Sequence, residues 1–503
     1  MTSTPAARNW KQRADALKLE TRALIGDTFS PSSSGNVFAT LNPSTGQKLA
    51  DVVHCQAEDV DRAVAFARKT FESGVWSRMD PKNRKQVLLN FASLIEKNKE
   101  DLALLETLDM GKPIGDSLNI DLPNVVETVS WCAEAIDKIY DQIAPTGHDV
   151  LGMITKEPMG IVAAVVPWNY PLLMAAWKFG PALAAGNCFI LKPAEQSSLS
   201  SLLLAKIALE AGLPPGVFQV VPGMGETTGR AIGMHMDIDA VAFTGSGQVG
   251  RYFLEYSAKS NLKSVSLECG GKSPNIIFAD CYDLDVAAET AAVGIFYNQG
   301  EVCSAGSRLL VERSIRDELV EKLQKTCDAY VPADPLLEET RMGAIVDTDQ
   351  LDKIMSYIGR GKSEGADLVA GGTRAREETG GNFVTPTVFS NVSNSMAIAQ
   401  EEIFGPVLSV IAFDSQEEAV RLANDTLYGL SSAVWTADLT RAHDMARAIR
   451  AGTVCVNCYN EGNITTPFGG FGESGFGGHD RALQSIEKYQ ETKATWIRLH
   501  RPG

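Results

Sequence analysis

One thiol and one carboxylate, each surrounded by small residues, are the side chains best suited to chemistry in this sequence. Cys303 lies in the segment Phe296–Gly306, and Glu268 lies in Leu267–Pro274. A thiolate attacks an electrophilic carbon efficiently, and a carboxylate can activate the water that later releases a covalently bound product. The pair therefore predicts covalent catalysis by a nucleophile and a base.

A glycine-rich segment follows a predicted strand and opens a predicted helix. It reads Thr244-Gly245-Ser246-Gly247-Gln248-Val249-Gly250. Glycines allow the backbone to approach a pyrophosphate, and a helix N-terminus favours its negative charge. A tight strand–helix turn has the same sequence features, so this segment alone leaves both interpretations open.

The segment Lys192-Pro193-Ala194-Glu195 follows another predicted strand, at the end where ligands bind in open α/β sheets. An acid there accepts hydrogen bonds from both ribose hydroxyls and repels a 2′-phosphate. Glu195 therefore favours NAD over NADP, and the alternative is a solvated loop charge.

Two further segments place polar or aromatic groups at strand ends. Asn169, in Pro167–Pro171, could donate to a developing oxyanion, or could serve as a turn or helix cap. Glu402 and Phe404, in Glu401–Pro406, could hold a second ribose and a nicotinamide ring. Locally, a surface turn explains that segment better.

The elements that must position these groups alternate between strand and helix after residue 158, which predicts a parallel, doubly wound sheet. Predicted strands cover residues 160–166, 189–191, 217–221, 240–243, 275–278, 309–311, 407–411 and 454–456, with helices at 174–185 and 199–211. Upstream, a polar arm and a short helix occupy residues 1–30, a hairpin covers 38–53, and 57–140 is helical. A strand at 494–499 must pair with something, and another subunit is one option.

Composition narrows the class of protein. The chain has 503 residues and a formal net charge of −16, which argues against nucleic acid as a partner. Nine scattered cysteines, no apolar N-terminal region and no membrane-length apolar run predict a reduced, cytoplasmic protein with no membrane segment. Cys455 and Cys458 have CxxC spacing without a second pair, so we predict neither a metal nor a redox role for them, and the six histidines show no ligand spacing that would indicate a zinc site.

In combination, these segments resemble the aldehyde dehydrogenase superfamily. They keep the family's order over about residues 30–499. The matching stretches are Pro167–Pro171, Lys192–Glu195, Phe243–Gly250, Leu267–Pro274, Asn298–Arg308, Glu401–Val407 and Pro467–Gly470.

The resemblance implies a role for each matching residue. Cys303 would form a thiohemiacetal and then a thioester, Asn169 would complete an oxyanion hole, and Glu268 would activate water. Lys178 would aid proton relay. The implied cofactor contacts, for NAD, are Trp168, Lys192, Glu195, Gly245, Ser246, Gly250, Glu402 and Phe404. The candidate substrate pocket comprises Tyr170, Met174, Trp177, Phe296, Glu301, Ser304, Asn457, Tyr459 and Thr465.

Within the family, the chain looks most like bacterial γ-glutamyl-γ-aminobutyraldehyde and 4-guanidinobutyraldehyde dehydrogenases. The similarity rests on Leu104–Ile114, Ala133–Lys138, Trp177–Ala184, Phe296–Arg308 and Ala433–Thr436. Asn463 stands where such relatives carry Asp, and their Lys near Gly472 and Arg near Gly478 are missing. Glu461, Asp109 and Asp121 could supply acidity instead. A broader aliphatic or aromatic specificity, including indole-3-acetaldehyde, stays open.

The implied fold is α/β, with a Rossmann-like cofactor domain (1–140 and 160–268), an α/β catalytic domain (269–485) and an oligomerisation segment (141–159 and 486–503). Family members form homodimers or homotetramers. Two alternatives are a CoA-acylating relative, which Glu268 disfavours, and a non-catalytic descendant, which the joint presence of Cys303, Glu268 and Asn169 disfavours.

Overall fold

The computed structural model describes residues 8–500, which form two large sheets and two smaller ones besides a hairpin. Residues 1–7 of the predicted arm and 501–503 of the predicted oligomerisation segment lie outside the described residues. The strands are β1 Ala23–Ile25, β2 Thr28–Ser30, β3 Val37–Leu41, β4 Lys48–Val53, β5 Gln142–Ala144, β6 Val150–Pro158, β7 Ile161–Val165, β8 Cys188–Lys192, β9 Phe218–Val220, β10 Ala240–Thr244, β11 Ser264–Glu268, β12 Pro274–Ile277, β13 Arg308–Glu312, β14 Asp367–Ala370, β15 Arg374–Ala375, β16 Phe383–Val384, β17 Thr387–Ser390, β18 Val407–Phe413, β19 Ser431–Trp435, β20 Thr453–Val456, β21 Gly475–Phe476 and β22 Gln490–Arg498.

The α-helices cover the faces of the two large sheets and fill the N-terminal third of the chain. They are α1 Trp10–Ala16, α2 Ala57–Ser73, α3 Pro81–Lys97, α4 Lys99–Met110, α5 Ile114–Asp116, α6 Leu122–Ala135, α7 Pro171–Ala184, α8 Leu199–Glu210, α9 Arg230–Met234, α10 Gly247–Lys259, α11 Leu284–Phe296, α12 Arg316–Cys327, α13 Thr348–Ser363, α14 Ala397–Gln400, α15 Gln416–Asn424, α16 Leu439–Ala448 and α17 Gln484–Glu487.

The first large sheet has the strand order β2-β1-β9-β8-β7-β10-β11-β21, and β7 to β11 run parallel. Strands β7, β8 and β10 are buried along their whole length. Their continuous apolar runs suit a parallel sheet that is covered on both faces. Strand order reverses between β7 and β10, and such a switch point opens a crevice at the carboxyl ends of the strands.

The second large sheet has the order β14-β17-β18-β13-β12-β19-β20. All its neighbouring strands are parallel except β14, which runs antiparallel to β17. The two sheets confirm the predicted α/β class. Gly475–Phe476, inside the range predicted for the catalytic domain, pairs with Ser264–Glu268 in the first sheet.

The C-terminal strand finds its partner within its own chain. β22 begins at Gln490 and pairs antiparallel with β6, whose other neighbour is β5. This three-stranded sheet is built from the two segments that the sequence analysis had combined. The short strands β1 and β2 were not predicted, because three residues are too few to show an alternating pattern.

Within residues 8–500, no helix is both long enough and apolar enough to cross a membrane.

Candidate active site

A strained turn connects helix α11 to Cys303. Helix α11 ends at Phe296, and Asn298 and Gln299 then adopt left-handed φ angles of 47° and 57°. Such angles are unfavourable for residues with a Cβ, so surrounding contacts must hold them. The Asn298 side-chain amide donates to the carbonyl of Asn169 at 3.2 Å. At Gly300 a Cβ would lie 2.3 Å from the Gly405 oxygen, so only glycine fits.

Cys303 lies where two cavities meet. A large cavity of about 660 Å³ and a smaller one of about 200 Å³ are both lined by Cys303 and Met174. Hereafter they are the large cavity and the small cavity. Burial raises the pKa of the Cys303 thiol to about 12, and the negative charges of Glu402 and Glu268 add to the rise. A base must therefore assist the formation of the thiolate.

Asn169 sits beside the nucleophile in the lining of the small cavity. Its buried side-chain amide donates to the carbonyl of Glu301 at 2.8 Å. An amide group carries two donor hydrogens, so one N–H is left for a further acceptor. That hydrogen is suited to an oxyanion that forms near Cys303.

Glu268 ends strand β11 and lines the small cavity with Cys303. Its carboxylate is buried, and neither oxygen has a hydrogen-bond partner among residues 8–500. Burial and the charge of Asp480 raise the pKa of Glu268 to about 8, although the charges of Lys178 and Lys488 oppose the rise. A carboxyl group with a pKa near physiological pH is suited to general-base catalysis.

Lys178 forms a buried ion pair with Asp480, and Asp480 also accepts from Lys488. The two lysines hold the pKa of Asp480 below its usual value despite the burial. Sequence reasoning had proposed Lys178 for proton relay but had missed Asp480 and Lys488. Their positions are far from Lys178 in the chain, and no local pattern marks them.

The small cavity collects most of the predicted cofactor contacts. Its lining is Pro167, Trp168, Asn169, Met174, Thr244, Gly245, Ser246, Glu268, Cys269, Gly270, Cys303, Gln350, Lys353, Glu402 and Phe404. The rings of Trp168 and Phe404 meet edge to face, with centroids 5.3 Å apart. Glu402 accepts from the Gly271 N–H at 3.0 Å, and at Gly270 a Cβ would lie 2.1 Å from its carboxylate.

Three predicted cofactor residues lie outside that lining. Lys192 is buried at the end of β8, with its Nζ 3.2 Å from the Glu195 carboxylate, and burial lowers its pKa. Gly250 lies inside helix α10, packed towards Leu267. Ser246, which does line the small cavity, caps the same helix, since its hydroxyl accepts from the Val249 N–H at 3.3 Å.

This arrangement fits a dinucleotide. The N-terminus of α10 can hold a pyrophosphate, Glu195 and Glu402 present carboxylates for ribose hydroxyls, and the Trp168–Phe404 ring pair lies beside Cys303. Gln350 was missed by sequence reasoning. It donates to the backbone carbonyls of Ile403 and Phe404 at 2.9 and 2.7 Å, and so fixes the backbone that carries the Phe404 ring.

Four of the nine candidate pocket residues line the large cavity, namely Tyr170, Met174, Trp177 and Ser304. The structure places the other five elsewhere. Phe296 packs on Tyr330, Glu301 is buried and accepts from the Val346 N–H, Asn457 bonds to the backbone of Thr436, Tyr459 donates to the Ser304 carbonyl, and Thr465 bonds to Asn463.

The sequence predicted only some of the charged side chains that line the large cavity. Asp121 and Glu461 line it, whereas Asp109 is buried against Thr40 and the Leu199 N–H. Arg481 also lines the cavity and lies over the rings of Trp177 and Phe468 at 5.4 and 5.8 Å. Sequence reasoning gave Arg481 no role, since nothing near it in the chain marks a pocket.

Comparisons with known proteins agree with this geometry. Residues 29–495 match the Aldehyde dehydrogenase family. "NADP/NAD-dependent aldehyde dehydrogenase PuuC" of Escherichia coli is 48% identical over 490 residues, covering 97% of this chain and 98% of that protein.

Two solved structures superpose closely on the chain. One is a cysteine-to-alanine mutant of Pseudomonas syringae AldA, an indole-3-acetaldehyde dehydrogenase, in complex with NAD+ and IAA (TM-score 0.96, 54% identity, 98% of this chain and 99% of that one). The other is γ-glutamyl-γ-aminobutyraldehyde dehydrogenase from Burkholderia cenocepacia (TM-score 0.96, 53% identity, 98% and 99%). The chain belongs to the aldehyde dehydrogenase family, and the predicted family and fold are confirmed.

Proposed function

We propose that this chain oxidises an aldehyde to its carboxylic acid, with NAD as cofactor and Cys303 as nucleophile. The observation that carries the proposal is the position of Cys303 at the junction of the large and small cavities. An aldehyde in the large cavity and a nicotinamide in the small cavity would both lie against Cys303.

The Cys303 thiol first gives its proton to Glu268, which lines the same cavity and passes that proton to solvent before it acts again. The Cys303 sulfur attacks the carbonyl carbon, and the free N–H of Asn169 together with the Cys303 backbone N–H stabilises the oxyanion. Bound NAD supplies the acceptor for the hydride that leaves this carbon. Glu268 then takes a proton from water, the resulting hydroxide attacks the thioester, and the carbon–sulfur bond breaks to free Cys303.

The test measures NADH formation from NAD with a panel of aldehydes in the absence of CoA. We expect turnover by the wild type, none by Cys303→Ala, and an NADH burst followed by slow turnover for Glu268→Gln. Absence of turnover with every aldehyde would overturn the proposal. Turnover that appears only when CoA is added would identify an acylating enzyme instead.

For the substrate, we propose a γ-glutamylamino- or amino-aldehyde. Glu461 offers a carboxylate to an amine, as does the Oδ1 of Asp121, whose Oδ2 is paired with Lys112. Arg481 offers a cation to a carboxylate such as that of a γ-glutamyl group. The alternative, an aromatic aldehyde such as indole-3-acetaldehyde, is supported by the rings of Trp177 and Phe468, whose centroids are 5.1 Å apart.

A kcat/KM panel over these aldehydes, with Arg481→Met and Glu461→Gln as probes, separates the two substrate classes. If γ-glutamylamino-aldehydes are preferred, Arg481→Met lowers kcat/KM for them and leaves aliphatic aldehydes little affected. A preference for indole-3-acetaldehyde that neither substitution alters would favour the aromatic alternative.

We further propose a homodimer or homotetramer, held through the sheet of β22, β6 and β5, and the three-part domain division given above. Support comes from the exposed apolar side chains on this sheet, among them Trp496, which is 65% exposed, and Ile143, which is 74% exposed. A cytoplasmic location is supported by the nine cysteines, all of which are free thiols.

A further inference from the structure

Two cysteines to which the sequence analysis assigned no role lie together in the wall of the large cavity. Cys455 is in strand β20, and Cys458 follows the end of that strand. Both pack in one small apolar cluster with Ala433 and Tyr459, and the two thiols are within hydrogen-bonding reach of each other. Cys303 lines the same cavity.

Asn457, one of the two residues between these cysteines, explains why their side chains meet. Successive side chains of a strand alternate between its faces, so a residue three positions further on would normally point away. Asn457 breaks the alternation with a left-handed φ of 55°. Its side chain accepts from the Thr436 N–H and donates to the Thr436 carbonyl, both at 3.0 Å, and so fixes this turn.

We propose that Cys455 and Cys458 form a redox-active dithiol, which a peroxide or a low-molecular-weight disulfide converts reversibly to a disulfide, with a change in affinity for the aldehyde. The disulfide does not depend on the function proposed above, whereas its effect on the aldehyde does. Cys458 is half-buried and open to the cavity, while Cys455 is buried.

The half-buried thiol is the one that meets the oxidant. The Cys458 thiolate attacks an oxygen of hydrogen peroxide, the O–O bond breaks, and the leaving hydroxide takes up the proton that the thiol had lost, which gives a sulfenic acid and one water. The Cys455 thiolate then attacks that sulfur, the S–S bond forms, and the S–O bond breaks to release a second water. Two electrons pass from the thiols to the peroxide. Burial raises the pKa of Cys455 to about 11, and the nearby backbone N–H of Glu461 opposes the rise.

Tyr459 connects the dithiol to the segment that carries Cys303. Tyr459 follows Cys458 and donates its hydroxyl to the Ser304 carbonyl at 2.6 Å, and Ser304 follows Cys303. Glu461 and Asn460, in the same loop, line the large cavity. Closing the disulfide would draw this loop towards β20 and move the part of the wall that faces the substrate.

The chain offers a convenient way to detect the disulfide. Trypsin cleaves after Arg450 and Arg481, which releases residues 451–481 as one peptide containing Cys455 and Cys458 as its cysteines. After treatment of the full chain with hydrogen peroxide, we expect this peptide to lose the mass of two hydrogen atoms and to regain it with dithiothreitol. Cys303→Ala removes the competing nucleophile and should show the same change.

Cys458→Ser should abolish the loss, and Cys281→Ser, a half-buried cysteine away from the cavity, should not. An unchanged peptide, or one that gains oxygen without losing two hydrogens, would overturn the dithiol. In the oxidised wild type we expect KM for the aldehyde to rise by about threefold or more with kcat little changed, and dithiothreitol to reverse it. A disulfide with unchanged KM would overturn the effect on the aldehyde.

Discussion

Glu268, the proposed base, has a pKa that is set by burial and three neighbouring charges. Burial and Asp480 raise its pKa to about 8, while Lys178 and Lys488 lower it. The base acts in its deprotonated form, so a raised pKa moves activity to higher pH. The rate should therefore rise as pH passes through about 8 and level off above it, provided that deacylation limits turnover.

Charge substitutions should move that midpoint in opposite directions. Asp480→Asn removes a negative charge and should shift the midpoint of kcat to lower pH, whereas Lys488→Gln removes a positive charge and should shift it to higher pH. In Lys488→Gln, Asp480 keeps its partner Lys178. The measurement is the pH profile of kcat at saturating NAD, with thermal melting to show that each variant is folded. Three identical midpoints would contradict the assignment of Glu268 as base.

Glu195 is the residue that we expect to determine the choice between NAD and NADP. Its carboxylate lies 3.2 Å from the buried Lys192 at the end of β8. Because a carboxylate repels a 2′-phosphate, Glu195→Gln should raise kcat/KM for NADP by about tenfold relative to NAD. Steady-state kinetics with both cofactors provide the measurement, and Glu210→Gln, an exposed acid at the end of α8, is the matched control. An unchanged ratio would place the ribose elsewhere.

Helix α13 contains one glycine in open space and one against the core. It therefore allows helix propensity and core packing to be tested separately within one element. At Gly359 a Cβ would meet nothing within 4 Å, whereas at Gly361 it would lie 3.1 Å from Ile398 and Phe389. Alanine is favoured over glycine in a helix interior, so Gly359→Ala should stabilise the protein by about 0.5–1 kcal/mol. Gly361→Ala gains the same propensity but overpacks the core, and should destabilise it.

Urea denaturation followed by circular dichroism measures both variants. We expect the midpoint to rise for Gly359→Ala and to fall for Gly361→Ala. A rise for both would mean that the core around Ile398 adapts without strain, and a fall for both would mean that the helix requires glycine at each position.

Elements differ in how far the sequence determines them. Continuous apolar runs predicted β7, β8 and β10, because a strand buried on both faces needs no polar positions. The turn before Cys303 could not be predicted in the same way. Asn298 tolerates a left-handed φ better than most residues but Gln299 does not, and contacts with Asn169 and Gly343, which are remote in sequence, hold the two in place.

At the scale of the whole molecule, the difference between local sequence patterns and long-range contacts explains which site residues the sequence could predict. Cys303, Glu268 and Asn169 follow strands or turns with recognisable patterns, so a family resemblance could be read from their segments. Gln350 and Arg481 line the cavities, and Asp480 pairs with Lys178, only because distant parts of the chain fold together. Glu301 is the reverse case, since it adjoins the catalytic segment but turns into the core towards Val346.

The arrangement of the terminal strand leads to a prediction about assembly. β22 is an edge strand, paired with β6 on one side, and Trp496 and Ile497 are 65% and 41% exposed in the single chain. An exposed edge with large apolar side chains favours association with another copy. Trp496→Glu should therefore shift the protein towards a smaller species in size-exclusion chromatography with light scattering. Leu439→Glu, a change at an equally exposed leucine at the start of α16, should leave the mass unchanged. A Trp496→Glu protein of wild-type mass would show that this sheet does not hold the subunits together.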